Sequence, residues 1–136
     1  MIKISRSDRP MIRHLCGDGP LSFYAETVGF AFWKHIRTGA AFDELPELEA
    51  HAIVMHEAGH IHHWHIEKRL LWILSGRALW NPEGFFAMCA RQELEADDWA
   101  AGYGCGPALA EFLSKLPDTP QDGYPPVHER IARLLK

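Results

Sequence analysis

The 136-residue sequence holds no apolar stretch long enough to cross a membrane; runs such as Leu70-Leu71-Trp72-Ile73-Leu74 fall far short of the roughly 20 residues a spanning helix needs. The start, Met1-Ile2-Lys3-Ile4-Ser5-Arg6, turns polar too early for the apolar region of a secretory leader. There is no basic stripe either. The net charge is −4, the pI is near 6.1 and charges of both signs are mixed along the chain, which argues against a nucleic-acid partner. Cysteine is scarce: Cys16, Cys89 and Cys105 are odd in number, widely spaced and form no CxxC pair. That argues against a disulfide framework and for a reducing compartment. The expectation is a soluble, cytoplasmic protein with no membrane partner. Cys89 reads as apolar filler on a helix face, and Cys16, in Cys16-Gly17-Asp18-Gly19, as a candidate cap over a metal in a latent form.

Hydrophobic residues make up 47% of the chain, enough for the core of one domain spanning residues 1–136. Such a domain needs no metal as a staple, so a bound metal would be free for chemistry. Residues 2–5 form a strand candidate, followed by a turn-rich stretch to Pro20. Residues 21–35 are aromatic and β-branched and read as one or two strands broken near Gly29. A helix is expected over residues 46–68, with Pro46 in its first turn and Glu47 and Glu49 at the positive end of its dipole. Leu48, Ala52, Met55, Gly59 and His62 fall on one stripe of it, and Ile53, His56, His60 and Trp64 near another, so the helix should be largely buried. Residues 70–82 could be a short helix or a loop. Further helices are expected at 83–103, from 107 to before Pro117, and from 126 or 127 onward, with a Pro-, Asp- and Gly-rich loop at 117–125. Strands first and helices after means an α+β fold.

Within the long helix, His56-Glu57-Ala58-Gly59-His60 matches HExxH. Positions i and i+4 lie one above the other on a helix face, so two imidazoles can reach one zinc from the same side. The glutamate beside the first histidine then reaches a water on the metal rather than the metal itself. Zinc lowers that water's pKa to roughly 7, and the carboxylate takes its proton. The bland alternative is a solvated His-rich face, since His51, His62, His63 and His65 are all close in sequence. Those four spread around the helix and are read as surface or supporting residues.

A catalytic zinc wants a third protein ligand and an open position. The HExxHxxGxxH arrangement fails here, because it needs Gly at 63 and His at 66 where the chain has His63 and Ile66. Glu93 and Asp97 on the next long helix lie at i, i+4. Glu93 is the candidate third ligand, and Asp97 the candidate acceptor for the far nitrogen of a ligating histidine. Ala96, Ala100 and Ala101 would let the two helices approach. Glu95 and Asp98 read as an exposed acidic face.

With HExxH followed by Arg91-Gln92-Glu93-Leu94-Glu95-Ala96-Asp97, the chain resembles the M48-type gluzincin metallopeptidases, in a minimal soluble form. Leu45-Pro46-Glu47-Leu48-Glu49-Ala50 resembles the family's lead into its active-site helix, and Tyr124-Pro125-Pro126-Val127-His128-Glu129-Arg130-Ile131 its His-Pro-Pro segment. The resemblance covers residue 45 onward. It implies a zincin-like fold, a small N-terminal β-sheet followed by the active-site helix and a helical C-terminal part. It implies His56, His60 and Glu93 as Zn2+ ligands, Glu57 as general base and Asp97 as the residue supporting a ligand. It further implies a zinc-dependent endopeptidase acting on a peptide or protein substrate, with the strand around residues 30–37 as the upper rim of the cleft. Tyr124 stands where the family has histidine; it reads equally as an oxyanion donor and as a packing residue. Arg130 reads as orienting the cleft or capping the last helix. The alternatives are a non-catalytic, zinc-stabilised binding or regulatory domain, and a peptidase selective for one regulatory protein.

Overall fold

The computed structural model describes residues 2–6 and 24–136. The turn-rich stretch expected before Pro20, and Cys16 within it, lie outside the described residues.

Strand β1 (Lys3–Arg6) runs parallel to β3 (His35–Thr38), and β2 (Ala25–Val28) runs antiparallel to β3 on its other side. The order is therefore β1-β3-β2. Strand β3 alternates as a half-covered strand should. Ile36 and Thr38 are buried, while His35 and Arg37 are half-buried. The break expected near Gly29 is present: Gly29 has φ 100°, and a Cβ there would lie 2.4 Å from the Trp33 carbonyl oxygen. A single 3-10 turn at Ala31–Trp33 then carries the chain into β3.

Seven helices follow among the described residues, which makes the fold α+β. They are α1 (Ala40–Asp43), α2 (Glu47–His62), α3 (His65–Leu74), α4 (Arg77–Trp80), α5 (Pro82–Gly102), α6 (Gly106–Ser114) and α7 (Val127–Leu134). Asn81 caps α5 by accepting from the Gly84 N–H at 3.0 Å, and Pro82 occupies the first turn, where its missing N–H costs nothing.

The helix expected over 46–68 does not run through. It ends at His62, because Trp64 adopts the left-handed conformation (φ 57°, ψ 38°) and α3 restarts at His65. That conformation costs a non-glycine residue about 1–2 kcal/mol. Lys34 offsets the cost: its Nζ sits 4.1 Å from the centre of a Trp64 ring, donates to the Ile61 carbonyl at 3.3 Å and pairs with Glu67 at 3.0 Å. The stripe through Leu48, Ala52, Met55, Gly59 and His62 is buried only in its middle, at Ala52 and Gly59, with Met55 half-buried. Leu48 is 75% exposed and His62 is exposed, whereas Glu49 is buried and paired with Lys115 at 2.7 Å.

Helices α2 and α5 pack at close range. A Cβ on Gly59 would lie 2.9 Å from the Ala96 Cα and from the Trp99 Cβ, so Gly59 serves the approach of α5. Ala96 and Ala100 are fully buried there, but Ala101 is exposed and takes no part, contrary to expectation. The main core, including Ile36, Ile53, Leu109, Phe112 and Leu113, joins the sheet to α2 and α6. Cys89 is buried but disulfide-bonded, so it is not the unpaired filler expected of it; Cys105 is the free cysteine among the described residues. The cysteine count therefore gives no argument for a reducing compartment. No described helix is long and apolar enough to cross a membrane.

Candidate metal centre

Helix α2 buries His56 and His60 on the side that faces α5, and brings their Nε2 atoms within 3.2 Å of each other. Glu93 meets them from α5. Its Oε2 lies 3.3 Å from His56 Nε2 and its Oε1 lies 3.2 Å from His60 Nε2. A tetrahedron with ligands about 2.0–2.1 Å from its centre has edges of about 3.3 Å. The two nitrogens, and the Glu93 oxygen that each of them meets, are spaced like the edges of such a tetrahedron, so the residues fit a metal. Glu57 also offers an oxygen: His56, Glu57 and His60 form a buried group whose ligand atoms all lie within 4.8 Å, able to hold a metal ion. The Glu93 carboxylate meets both histidine nitrogens, while the Glu57 carboxylate is drawn toward the sheet, where Thr27 Oγ1 on β2 donates to its Oε2 at 2.7 Å.

On one flank, His56 Nδ1 lies 2.8 Å from Asp97 Oδ1. Asp97 has no exposed surface and accepts two bonds from buried Arg130, Nε to Oδ2 and Nη2 to Oδ1, both 2.7 Å. Arg130 lies inside α7 and reaches into the centre; it does not cap the helix. Burial pulls the His56 pKa down, but Asp97 and then Glu93 outweigh it and carry it up to about 9. Burial likewise pushes Asp97 and Glu93 upward, and stronger attraction holds both below the usual carboxylate range: Arg130 for Asp97, His60 and His56 for Glu93. A second buried guanidinium, Arg69, donates to Gln92 Oε1 at 2.6 Å and stands 3.5 Å from Glu93 Oε1.

On the other flank, His60 Nδ1 lies 2.8 Å from His65 Nδ1, and His65 Nε2 lies 2.8 Å from Glu95 Oε2. His65 is 1% exposed. Burial, then the nearby charges of His60 and Arg69, hold its pKa down at about 2, so it stays neutral. Sequence reasoning placed His65 among surface or supporting residues and Glu95 on an exposed acidic face; His65 is instead buried, and Glu95 is half-buried against it. Nothing in the residue pattern marks the left-handed Trp64 that turns His65 back onto His60. Thr27 was likewise missed; only the β-branched run at 21–35 pointed near it. Asp98, by contrast, is exposed as expected, and pairs with Arg133.

Tyr124 is half-buried against Phe85, Met88 and Cys89. Burial first, and then the charges of Glu93 and Glu57, hold its proton on, so the phenol remains a donor close to the carboxylates. The strand expected as the cleft rim is corrected: β3 is paired along both sides and cannot accept a further strand, whereas β1 and β2 are the outer strands among the described residues, and β2 is the one that carries Thr27 beside Glu57.

No protein-family model, curated protein or solved structure matches the chain. The likeness to M48-type gluzincins rests on the motifs quoted above.

Proposed function

We propose that this chain is a zinc-dependent endopeptidase in which His56, His60 and Glu93 hold the metal. The observation that carries the reading is the buried triangle of His56 Nε2, His60 Nε2 and the Glu93 carboxylate, with the Glu57 carboxylate beside it but bound elsewhere. A structural zinc would be closed by four protein ligands, whereas three ligands and an adjacent carboxylate match a catalytic set. Zinc, when bound, polarises a carbonyl and acidifies water to a pKa near 7.

The chain's own residues do the rest. Glu57 takes the proton from the attacking water and passes it to the nitrogen of the leaving amine. Thr27 fixes the Glu57 carboxylate for both transfers. Asp97, braced by Arg130, fixes the ring and tautomer of His56. Tyr124 donates its phenolic proton in a hydrogen bond to the oxygen that gains charge on attack. The substrate is a peptide or protein in extended form, lying alongside β2.

The test is digestion of a mixed peptide library with zinc supplied, read by mass spectrometry, for wild type and Glu57→Gln in parallel. Cuts by wild type alone, with zinc bound equally by both proteins, are expected. Equal cutting by the two would remove Glu57 as the base. No cutting by either, with zinc bound, would favour a binding domain.

A further inference from the structure

Two histidines in this protein are within bonding distance of each other through their Nδ1 atoms, and a metal held on His60 Nε2 would set the direction of that bond. His60 Nδ1 and His65 Nδ1 are 2.8 Å apart, so one of them carries the proton and the other accepts. A histidine that ligates through Nε2 gives its lone pair there, and in its neutral form keeps the proton on Nδ1. With a metal on its Nε2, His60 is the donor. The Nδ1 of His65 must then be bare, and the neutral His65 ring carries its proton on Nε2. That nitrogen lies 2.8 Å from Glu95 Oε2.

We propose that His65 and Glu95 are positioning residues for His60, an orienting chain that runs from the ligand through a second imidazole to a carboxylate; this rests on the reading of His60 as a metal ligand. The two flanks of the centre then differ in kind. His56 is held directly by Asp97, which Arg130 neutralises. His60 is held by a neutral ring whose far side meets a carboxylate 40% exposed. The polarisation reaching His60 is thus gentler and passes through a side chain that could be replaced by another acceptor.

The backbone exists in the form this chain requires. In an unbroken helix, five residues turn the chain by roughly 500°, which would leave His65 about 140° away from His60 around the axis. The left-handed Trp64, locked by Lys34, cancels that divergence and lays the rings 5.0 Å apart, centre to centre.

The experiment compares wild type with His65→Asn, His65→Leu and Glu95→Gln. Zinc affinity is read by competition with a chromophoric chelator, coordination by the visible spectrum of the cobalt(II) form, and folding by circular dichroism. Long-range proton–nitrogen NMR of the zinc-loaded wild type reads the His60 tautomer. Asn keeps an acceptor near the position of Nδ1, so His65→Asn should hold zinc within about 3-fold of wild type. Leu has similar bulk and no acceptor, so His65→Leu should lose roughly 10- to 100-fold, as losses of such supporting bonds do, with a shifted cobalt spectrum. Glu95→Gln should fall between. The NMR should show the proton on His60 Nδ1. Unchanged affinity in His65→Leu, or equal losses for Asn and Leu, would overturn the proposal and leave the peptidase reading standing; a proton on His60 Nε2 would overturn both, since that nitrogen is the proposed ligand. Should His65→Leu not fold, the tautomer and Glu95→Gln decide by themselves. Wild type that takes up neither zinc nor cobalt would overturn both.

Discussion

Thr27 donates its hydroxyl proton to Glu57 Oε2 across 2.7 Å, so an edge of the small sheet sets the pose of the carboxylate beside the His56 and His60 pair. Thr27→Val keeps the shape and removes the donor. A hydrogen bond to a charged group is worth about 1.5–3 kcal/mol. If the bond acts in the proton transfers, kcat should fall at least about 10-fold while KM and zinc affinity hold. Steady-state kinetics on a peptide cut by wild type, with zinc content measured alongside, reads the split.

Glu93→Ala should weaken zinc binding by about 100-fold or more, beyond the roughly 10- to 100-fold typical of supporting residues. Chelator competition measures it. Unchanged affinity would take Glu93 out of the ligand set and leave Glu57 as the third ligand, since its oxygen is also within 4.8 Å of the histidines.

The metal-free protein should lose stability as pH rises from 6.5 to 9. The His56 pKa stands at about 9 in the fold against 6.5 in the unfolded chain, so its contribution is full below 6.5 and gone above 9. Zinc competes with the same proton, so zinc affinity should rise over that range and reverse the trend in the loaded protein. On the acid side, Glu93 and Asp97 are held low, and their contributions fade as pH falls below their unfolded values. Thermal unfolding with and without a chelator, from pH 4 to 10, tests both limbs.

Arg130→Met should destabilise the protein severely. It leaves the Asp97 carboxylate, at 0% exposure, with His56 in place of two partners, and breaking a buried pair from one side costs about 3–5 kcal/mol. Arg130→Lys should recover only part of this, because a lysine cannot match the two-pronged bond. Denaturant unfolding of the three proteins gives the order.

Gly59→Ala should also destabilise, although alanine is the better helix former by about 1 kcal/mol. The new methyl would meet the Ala96 backbone at 2.9 Å, and overpacking of that kind costs about 1–3 kcal/mol. A Tm above that of wild type would show that α2 and α5 can part without loss.

The α+β class, the places of α2, α5, α6 and α7 and the strand break at Gly29 were legible in the sequence, because periodicity, caps and glycine report local preferences. The convergence of His56, His60 and Glu93 was legible as spacing: i, i+4 on one helix and an acidic helix after it. What stayed hidden depends on tertiary contacts. Trp64 carries no sign of its left-handed backbone, which Lys34 imposes from a distant part of the chain. The reach of Arg130 to Asp97, the role of Thr27 and the central place of β3 follow from topology, which residue types alone do not encode. The bonding of Cys89 was hidden for a related reason, since an odd cysteine count does not say which sulfur stays free.

The left-handed turn at Trp64 makes the segment between His60 and His65 intolerant of changes in length rather than in spelling. Exchanges at Ile61, packed against the core, and at His63, stacked on the His65 ring, alter side-chain contacts but not the residue spacing that lets His60 and His65 meet. Insertion or deletion of a single codon there would swing His65 off His60 and carry Lys34's partner out of register, so drift within this stretch should run through point changes, with the residue number held constant.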